Sequence, residues 1–257
     1  MRPHIAAIYA FARTADDFAD EGTRTDADRL ALLDDWERRL RACARDLKVQ
    51  GSERDAIFNA LGQTIREKNL DLQLFVDLLS AFRQDVLVKR YQTWDDLMDY
   101  CRRSANPVGR LVLGVAGARA PELAAGSDAL CTALQLVNFW QDLERDWAKG
   151  RLYMPLSILG TAGASEQDLD TRRLTTAWQH AMRDVAARTR TLFDAGRAVV
   201  DGLSGRLAWE LRATWLGGVR ILDQLDARNF DVFNRRPSLG WTDAASIAMG
   251  VMTWRGR

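Results

Sequence analysis

Histidine is scarce in this chain, and the cysteines are few and odd in number. The 2 histidines, His4 and His180, lie in no HExxH motif and beside no group of acidic ligands, so we expect surface or hydrogen-bonded histidines. The 3 cysteines, Cys43, Cys101 and Cys131, form no CxxC pair and no disulfide framework. We therefore expect small core residues in a reducing cytoplasm rather than zinc ligands or disulfides.

The charges nearly cancel, and long apolar runs are missing. There are 36 Lys and Arg against 35 Asp and Glu, so bulk electrostatics gives no reason to expect nucleic-acid binding. No apolar run is long enough to cross a bilayer, and the amphipathic start does not resemble a signal peptide. These absences predict a cytoplasmic protein, and they leave a peripheral contact with the inner membrane open.

Motifs of several common chemistries are also absent. The sequence has no GxSxG elbow, no GxxxxGK[ST] loop and no strand-turn-helix GxGxxG, so no nicotinamide-binding fold is indicated. Only 5 prolines occur, β-branched residues do not alternate, and Ala, Leu, Arg and Asp are abundant. We predict an all-α protein with one domain over residues 1–257, because no linker or internal repeat is visible.

Apolar spacing and helix-end signals suggest element boundaries in the first half. The first helix ends at Gly22, and Thr25 with Asp28 forms a capping box for the second. Gly51-Ser52 breaks the pattern before the third helix, and Pro107 predicts an irregular turn.

In the second half the predicted elements are longer. Ser127 is the expected N-cap of a helix that ends at Gly150. Leu156–Gly163 is predicted as loop, and two long helices are predicted over 168–203 and 207–233.

Two acidic patterns lie on predicted helices among apolar neighbours. Residues four apart share a helix face, and like charges at that spacing repel unless a cation or solvent offsets them. Oxygen ligands without nearby His or Cys suit a hard cation such as Mg²⁺. Solvated helix faces are the alternative interpretation. The residues are Asp16, Asp17 and Asp20 in the first pattern, and Asn138, Asp142 and Asp146 in the second.

Cations and phenols accompany both patterns. Tyr9 and Arg13 share the stripe of the first pattern, whereas Lys149, Arg151 and Tyr153 follow the second. Such groups can hold a diphosphate and neutralise it as it leaves. Ordinary pairing with a helix C-terminus explains the cations equally well.

The acidic segments resemble the two aspartate-rich signatures of the squalene/phytoene synthase family. They read YAFARTADDFADE over 9–21 and NFWQDLERDWAKGRLYMP over 138–155. YCRRSANPVGRLVL over 100–113 looks like the family's central helix, and GGVRILDQLDARNFDVFNRRPSLG over 217–240 is similar to its terminal signature. The resemblance covers essentially the whole chain. It implies a single-domain isoprenoid synthase helical bundle with a central cavity.

Within this family, SANPVGRLVL together with Gln141 looks most like the hydroxysqualene synthases of the bacterial hopanoid pathway. The resemblance implies that Mg²⁺ bridges the diphosphate of presqualene diphosphate, that diphosphate leaves, and that water captures the rearranged cation as hydroxysqualene. NADPH is then not needed, and enzymes of squalene formation are the expected pathway partners. The implied metal ligands are Asp16, Asp17, Asp20, Asn138, Asp142 and Asp146. The resemblance implies that Arg13, Lys149, Arg151 and Tyr153 assist the departing diphosphate. Tyr9 and Asn106 are further catalytic candidates, and Asn106, beside the proline break, is the candidate for positioning the water.

Two departures from the family pattern stand out. Squalene and phytoene synthases usually carry Arg where Gln141 stands, which argues against first-step condensation of farnesyl diphosphate. Relatives also carry a further N-terminal segment that contacts phosphate, which this sequence lacks. We expect either that the natural N-terminus lies upstream of Met1 or that the protein lacks part of its diphosphate site. One alternative is a dehydrosqualene, phytoene or presqualene diphosphate synthase that condenses two prenyl diphosphates. Another is a non-catalytic assembly factor of the same fold, although both acidic patterns are intact.

Several aromatic residues are candidates to line the cavity and offer π faces to a cation: Tyr9, Phe82, Tyr100 and Trp215. Plain helix packing is the alternative for each. The terminal segment 241–254 is amphipathic, and it suits either contact with a bilayer or packing on the bundle.

Overall fold

A computed structural model describes residues 1–45, 54–172, 174–234 and 236–255, and its regular elements there are helices. The helices are α1 (Arg2–Asp20), α2 (Asp26–Ala44), α3 (Asp55–Lys68), α4 (Leu72–Leu87), α5 (Trp94–Ser104), α6 (Asn106–Ala116), α7 (Pro121–Gln141), α8 (Leu143–Ala148), α9 (Leu156–Ala162), α10 (Gln167–Asp170), α11 (Thr176–Gly202), α12 (Gly205–Ala227) and α13 (Trp241–Met252). The predicted all-α class is confirmed. The predicted break at Gly51-Ser52 lies outside the described residues.

Contacts group the chain into two compact units. The first contains Met1–Val88 and Arg102–Ala120, and the second contains Lys89–Cys101 and Pro121–Arg257. The expectation of a single domain stays a prediction.

The first unit is built around aromatic side chains from four helices. The buried Phe11 ring of α1 lies 5.9 Å from Trp36 and 5.6 Å from Phe75, measured between ring centroids. The Trp36 indole donates a hydrogen bond to the Phe11 carbonyl at 3.3 Å, so this large side chain is packed without an unpaired donor. The predicted capping box of α2 is confirmed, since Thr25 and Asp28 satisfy each other's backbone amides.

The second unit is organised by the close packing of α7 on α11. A Cβ atom at Gly126 would lie 2.6 Å from the Val199 amide nitrogen, and one at Gly196 would lie 2.9 Å from the Leu130 backbone. Glycine therefore lets the two backbones approach each other. The buried Trp140 indole then joins the helices by donating to the Thr189 hydroxyl at 3.0 Å.

Two sequence predictions of local structure are wrong in this unit. Ser127 is no N-cap, because α7 already begins at Pro121 and buries Ser127 within the helix; proline suits a first helical turn. The segment predicted as loop over 156–163 forms α9, whose buried Ile158 and Leu159 pack toward the core. Tertiary packing of these apolar side chains outweighs the weak local helix signal.

The two long predicted helices are also shorter than expected. The helix predicted over 168–203 is divided into α10 and α11 by a turn in which Arg172 has a positive φ of 53°. Thr175 then caps α11 by accepting from the Trp178 amide. The helix predicted over 207–233 ends at Ala227.

The cysteines are free thiols, and two of them are core residues as predicted. Burial raises the pKa of Cys43 to about 11 and that of Cys101 to about 12, so both stay protonated at neutral pH. Cys131 is only half-buried. His4 is hydrogen-bonded to Thr64 at 3.2 Å, which agrees with a satisfied histidine.

Candidate functional site

The first acidic pattern lies at the end of α1 around one arginine. Arg13 Nη1 is 3.1 Å from Asp16 Oδ2, and Arg13 Nη2 is 2.8 Å from Asp17 Oδ1 and 3.0 Å from Glu21 Oε1. Carboxylates at a helix C-terminus are disfavoured by the helix dipole and repel one another. Arg13 offsets this repulsion. It lies on the predicted stripe of α1, where it pairs with the carboxylates of the acidic pattern.

A second arginine, missed in the sequence analysis, closes the end of α1. Arg29 of α2 donates to the carbonyls of Phe18 at 3.3 Å, Ala19, and Gly22 at 2.9 Å. These carbonyls have no partner within the helix. The Arg29 guanidinium donates hydrogen bonds to them, and its positive charge interacts favourably with the negative end of the helix dipole. Arg29 thereby fixes the helix end that carries Asp16 and Asp17. No local signal reveals it, because the contact depends on how α2 packs on α1.

The other predicted residues of the first unit differ in exposure. Tyr9 is 66% exposed on α1, and Asp20 is exposed as the last residue of that helix. Asn106 is half-buried and begins α6 directly before Pro107, at the predicted interruption. Helix α6 packs on α1 and α4.

The second acidic pattern spans a short break between α7 and α8. Asp142 leaves helical geometry with φ −102° and ψ 13°, although its amide still donates to the Asn138 carbonyl at 2.8 Å. The next helical bond, from the Asp146 amide to the Asp142 carbonyl at 2.9 Å, keeps the three residues near the predicted i, i+4, i+8 spacing. Asn138 is exposed, and Asp142 and Asp146 are half-buried.

Asp142 forms a two-point ion pair that the sequence analysis missed. Arg236 Nε is 2.5 Å from Asp142 Oδ1, and Arg236 Nη2 is 2.9 Å from Asp142 Oδ2. The hydrogen bond to Asp142 raises the pKa of Arg236. Arg236 belongs to the terminal signature NRRPSLG, so its presence was visible in the sequence, but its partner lies far away along the chain.

Gln141, the residue that departs from the family pattern, is buried and holds the same segment. Its amide nitrogen donates to the Pro237 carbonyl at 2.6 Å. Together Gln141 and Asp142 fasten residues 236–237 onto the second acidic pattern. An arginine at position 141 would have to make this contact with a longer, charged side chain.

The segment that carries Lys149, Arg151 and Tyr153 is fixed by pairing with residues 89–92. The Leu152 amide donates to the Lys89 carbonyl at 3.0 Å, and the Leu156 amide donates to the Tyr91 carbonyl at 2.9 Å. Lys149 is exposed, whereas Arg151 and Tyr153 are half-buried.

Arg90 braces this segment and was not predicted. It donates to the Gly150 carbonyl at 2.7 Å and to Glu166 at 2.6 Å, and its guanidinium lies 5.1 Å from the Trp147 ring centroid. These contacts make Arg90 a positioning residue for the cations beyond Gly150.

Four aromatic rings form a cluster beside the second acidic pattern. Phe139 and Tyr153 are stacked, with centroids 3.8 Å apart and planes 6° apart. Tyr91 lies 5.7 Å from Tyr153 and 5.5 Å from Tyr100. Tyr100 was a candidate, whereas Tyr91 was not. We call Tyr91, Tyr100, Phe139 and Tyr153 the aromatic cluster.

Trp215 is held by helix packing. Its ring contacts Phe193 and Trp254, and its indole donates to the Phe193 carbonyl at 2.8 Å. Phe82 packs against the core of the first unit.

The donor set suits magnesium better than a transition metal. Each pattern offers carboxylate or amide oxygens, and Mg²⁺ usually takes one or two carboxylates together with waters and substrate phosphates. Among the described residues, His, Cys, Asp and Glu side chains form no group of three or more around one metal position. The described residues therefore form no closed protein cage for a metal ion, and the oxygens of the two patterns are the donors that a cation bound there would use.

Across the part of the chain that is described, helices with the length and apolar character needed to cross a bilayer do not occur.

The fold agrees with a comparison against known families. The family model for squalene/phytoene synthase matches residues 1–243. The chain therefore belongs to the squalene/phytoene synthase family.

Among similar proteins, a hydroxysqualene synthase of Zymomonas mobilis is 42% identical over 194 residues, which cover 74% of this chain and 62% of that protein. This chain thus matches less than two thirds of that relative's length. A hydroxysqualene synthase of Rhodopseudomonas palustris is 34% identical over 254 residues, 98% of this chain and 83% of that protein.

A solved structure gives the same fold. The crystal structure of squalene synthase HpnC from Alicyclobacillus acidocaldarius is 40% identical, with a TM-score of 0.83 over 90% of this chain and 84% of that one. A dehydrosqualene synthase structure with 20% identity also has a TM-score of 0.83, over 98% of this chain and 86% of that one, and supports the fold alone.

Proposed function

We propose that this protein converts presqualene diphosphate and water into hydroxysqualene and diphosphate. The observation that carries the proposal is the set of similar proteins. The hydroxysqualene synthase of Zymomonas mobilis is 42% identical over 194 residues and that of Rhodopseudomonas palustris 34% over 254 residues, while the chloroplastic phytoene synthase 1 of Arabidopsis thaliana is 33% identical over 245 residues. Gln141 supports it, since the condensing relatives usually carry Arg there and Gln141 instead holds Pro237.

The reaction breaks a carbon–oxygen bond, and diphosphate leaves with the electron pair. The cyclopropylcarbinyl cation rearranges, the oxygen of water bonds to the new cationic carbon, and one proton passes to solvent. Charge on the departing group must be neutralised, which is the task we assign to Lys149 and Arg151.

Asp16, Asp17 and Asp20, with Asn138, Asp142 and Asp146, are the residues that would hold Mg²⁺. When bound, Mg²⁺ supplies positive charge to the diphosphate and makes it a better leaving group. Arg13 keeps Asp16 and Asp17 together, and Arg29 fixes the end of α1, so both arginines position this ligand set.

The aromatic cluster is our candidate for stabilising the cation. The face of an aromatic ring is negatively polarised, and each favourable cation–π contact contributes on the order of 0.5–2 kcal/mol. Tyr91, Tyr100 and Phe139 are buried, and they retain their positions through mutual ring contacts. Asn106, at the start of α6, is the candidate for positioning the water.

The test is incubation of the purified chain with presqualene diphosphate and Mg²⁺, without NADPH, followed by extraction and mass analysis. We expect hydroxysqualene that disappears with EDTA and falls about a hundredfold or more in Asp142→Asn. Glu144→Gln is the matched control, since Glu144 lies in the first turn of α8, two residues after Asp142, and pairs with Arg172 outside the acidic pattern.

Two outcomes would replace the proposal. Consumption of farnesyl diphosphate without conversion of presqualene diphosphate would assign the chain to the condensing branch. A folded protein that is inert toward both substrates would favour an assembly factor.

A further inference from the structure

An exposed apolar surface lies on the second unit, around α13 and the start of α12. Among the described residues, five of the ten large hydrophobic side chains with high exposure belong to it, and Trp241 is 94% exposed. Isolated exposed hydrophobic residues are common, but a cluster of them marks an interaction site. We call this set the terminal apolar surface: Trp209, Leu239, Trp241, Met249 and Met252.

Helix α13 presents no charge on this surface. Its one charged residue, Asp243, is buried and accepts from Arg220 at 2.6 Å, Gln224 at 3.0 Å and the Gly240 amide at 2.9 Å. The exposed residues of α13 are aromatic, sulfur-containing, small or hydroxylic. Charged residues make up 28% of the chain, so an exposed helix face without any charge is unusual for a surface in contact with water. Such a face is better suited to an apolar environment.

A groove runs between α13 and the start of α12. Its volume is about 740 Å³, and Trp209, Leu239 and Met252 line it together with small and aliphatic residues of α13. Glu210 is the charged residue of the lining, and it pairs with Arg206 at 2.7 Å. A groove of this size and character suits hydrocarbon chains rather than a polar ligand.

The charges around the surface are unbalanced toward positive. Glu210 and Asp243 are each paired with an arginine, as described. Arg212, three residues after Trp209, and Arg255, three residues after Met252, form no ion pair with a carboxylate among the described residues, and we count them as the surplus cations. The guanidinium of Arg212 lies 5.8 Å from the ring centroid of Trp254, directly after α13. A cationic margin around an apolar face is complementary to anionic lipid headgroups above acyl chains.

We propose that the terminal apolar surface docks on a bilayer that contains anionic lipids. Trp209 and Trp241 occupy the depth where indole rings are favoured, at the boundary of headgroups and acyl chains. Met249 and Met252 enter the acyl region, and Arg212 and Arg255 meet the headgroups. The contact is peripheral and needs no spanning helix.

The experiment is co-sedimentation of the full chain with vesicles, without substrate, so its result does not depend on the proposed reaction. Phosphatidylcholine vesicles containing phosphatidylglycerol are compared with pure phosphatidylcholine. We expect at least about fivefold tighter binding to the anionic vesicles, from two surplus cations. The double variant Trp241→Ser/Met252→Ser should bind about tenfold more weakly.

The matched control is Leu87→Ser/Val108→Ser, which removes two exposed apolar side chains from the first unit; Leu87 and Met252 are both 61% exposed. Melting temperatures of all variants confirm folding. The control should bind as the wild type does. Absent binding by the wild type, or equal loss in both double variants, overturns the proposal. A wild-type dimer that the Trp241 variant loses would instead assign the surface to a second copy.

Discussion

Asp243 is held in its ionised form by its neighbours. The amide of Gly240, followed by Arg220, lowers the pKa of Asp243 below its ordinary value. Because the folded pKa is lower than the unfolded one, this contribution to stability is present above about pH 4 and is lost as pH falls through the folded pKa.

Asp243→Asn should therefore lower the melting temperature at pH 7 by a few degrees. The gap between variant and wild type should narrow as pH falls below about 4. Thermal unfolding across pH measures both effects. Asp95→Asn, at an exposed position, serves as the control and should change little. A gap that is constant with pH would show that the ionised carboxylate is not what stabilises this end of α13.

At the scale of residues, the sequence predicts ligand types better than their partners. Asp16 and Asp17 could be placed on α1 from spacing alone, as could Asp142 on the second acidic pattern. Spacing also places Arg13 on the same stripe of α1, but it does not show that Arg13 pairs with Asp16 and Asp17. The pairing of Arg236 with Asp142 arises only from the packing of segments that are distant in sequence.

At the scale of elements, the close packing of α7 on α11 can be tested at Gly126. Gly126→Ala would place a methyl group 2.6 Å from a backbone nitrogen, which cannot rotate away. We expect destabilisation of about 1–3 kcal/mol from this overpacking, measured by urea unfolding. Gly160→Ala on α9 is the matched control, since a Cβ there has no neighbour within 4 Å. It should be neutral or stabilising, and equal losses in both variants would contradict the packing argument.

Local signals identified elements where capping chemistry was strong. Thr25 with Asp28 marks the real start of α2. Local signals failed where packing decides, as at α9, whose short apolar run needs neighbouring helices to become helical. The prediction that Ser127 is an N-cap was wrong because a residue type that is common at N-caps can also lie buried within a helix.

For the whole molecule, the proposed function requires both acidic patterns to act on one diphosphate. Asp16→Asn and Asp142→Asn should then each lower kcat/KM by about a hundredfold or more. The double variant should be little worse than either single one, because residues that act as a unit are not additive. Steady-state kinetics of the double-mutant cycle measures this, and effects that multiply fully would indicate independent roles.

The family and the all-α class were evident from the whole sequence, because the signatures extend over most of its length. The division into two compact units was not, since no linker or change in composition marks it. Contacts between segments distant in sequence define such units, and periodicity carries no information about them.

The pairing of Arg236 with Asp142 has a thermodynamic consequence. A cation that binds the Asp142 carboxylate must displace the Arg236 guanidinium from it. The measured affinity of the cation is therefore reduced by the free energy needed to break this two-point ion pair. Since Gln141 holds Pro237 next to that pair, the order of this segment and the occupancy of Asp142 are linked quantities. Linkage is reciprocal. If a ligand that orders residues 236–237 changes the affinity of Asp142 for a cation by some factor, then a cation bound to Asp142 changes the affinity of that ligand by the same factor.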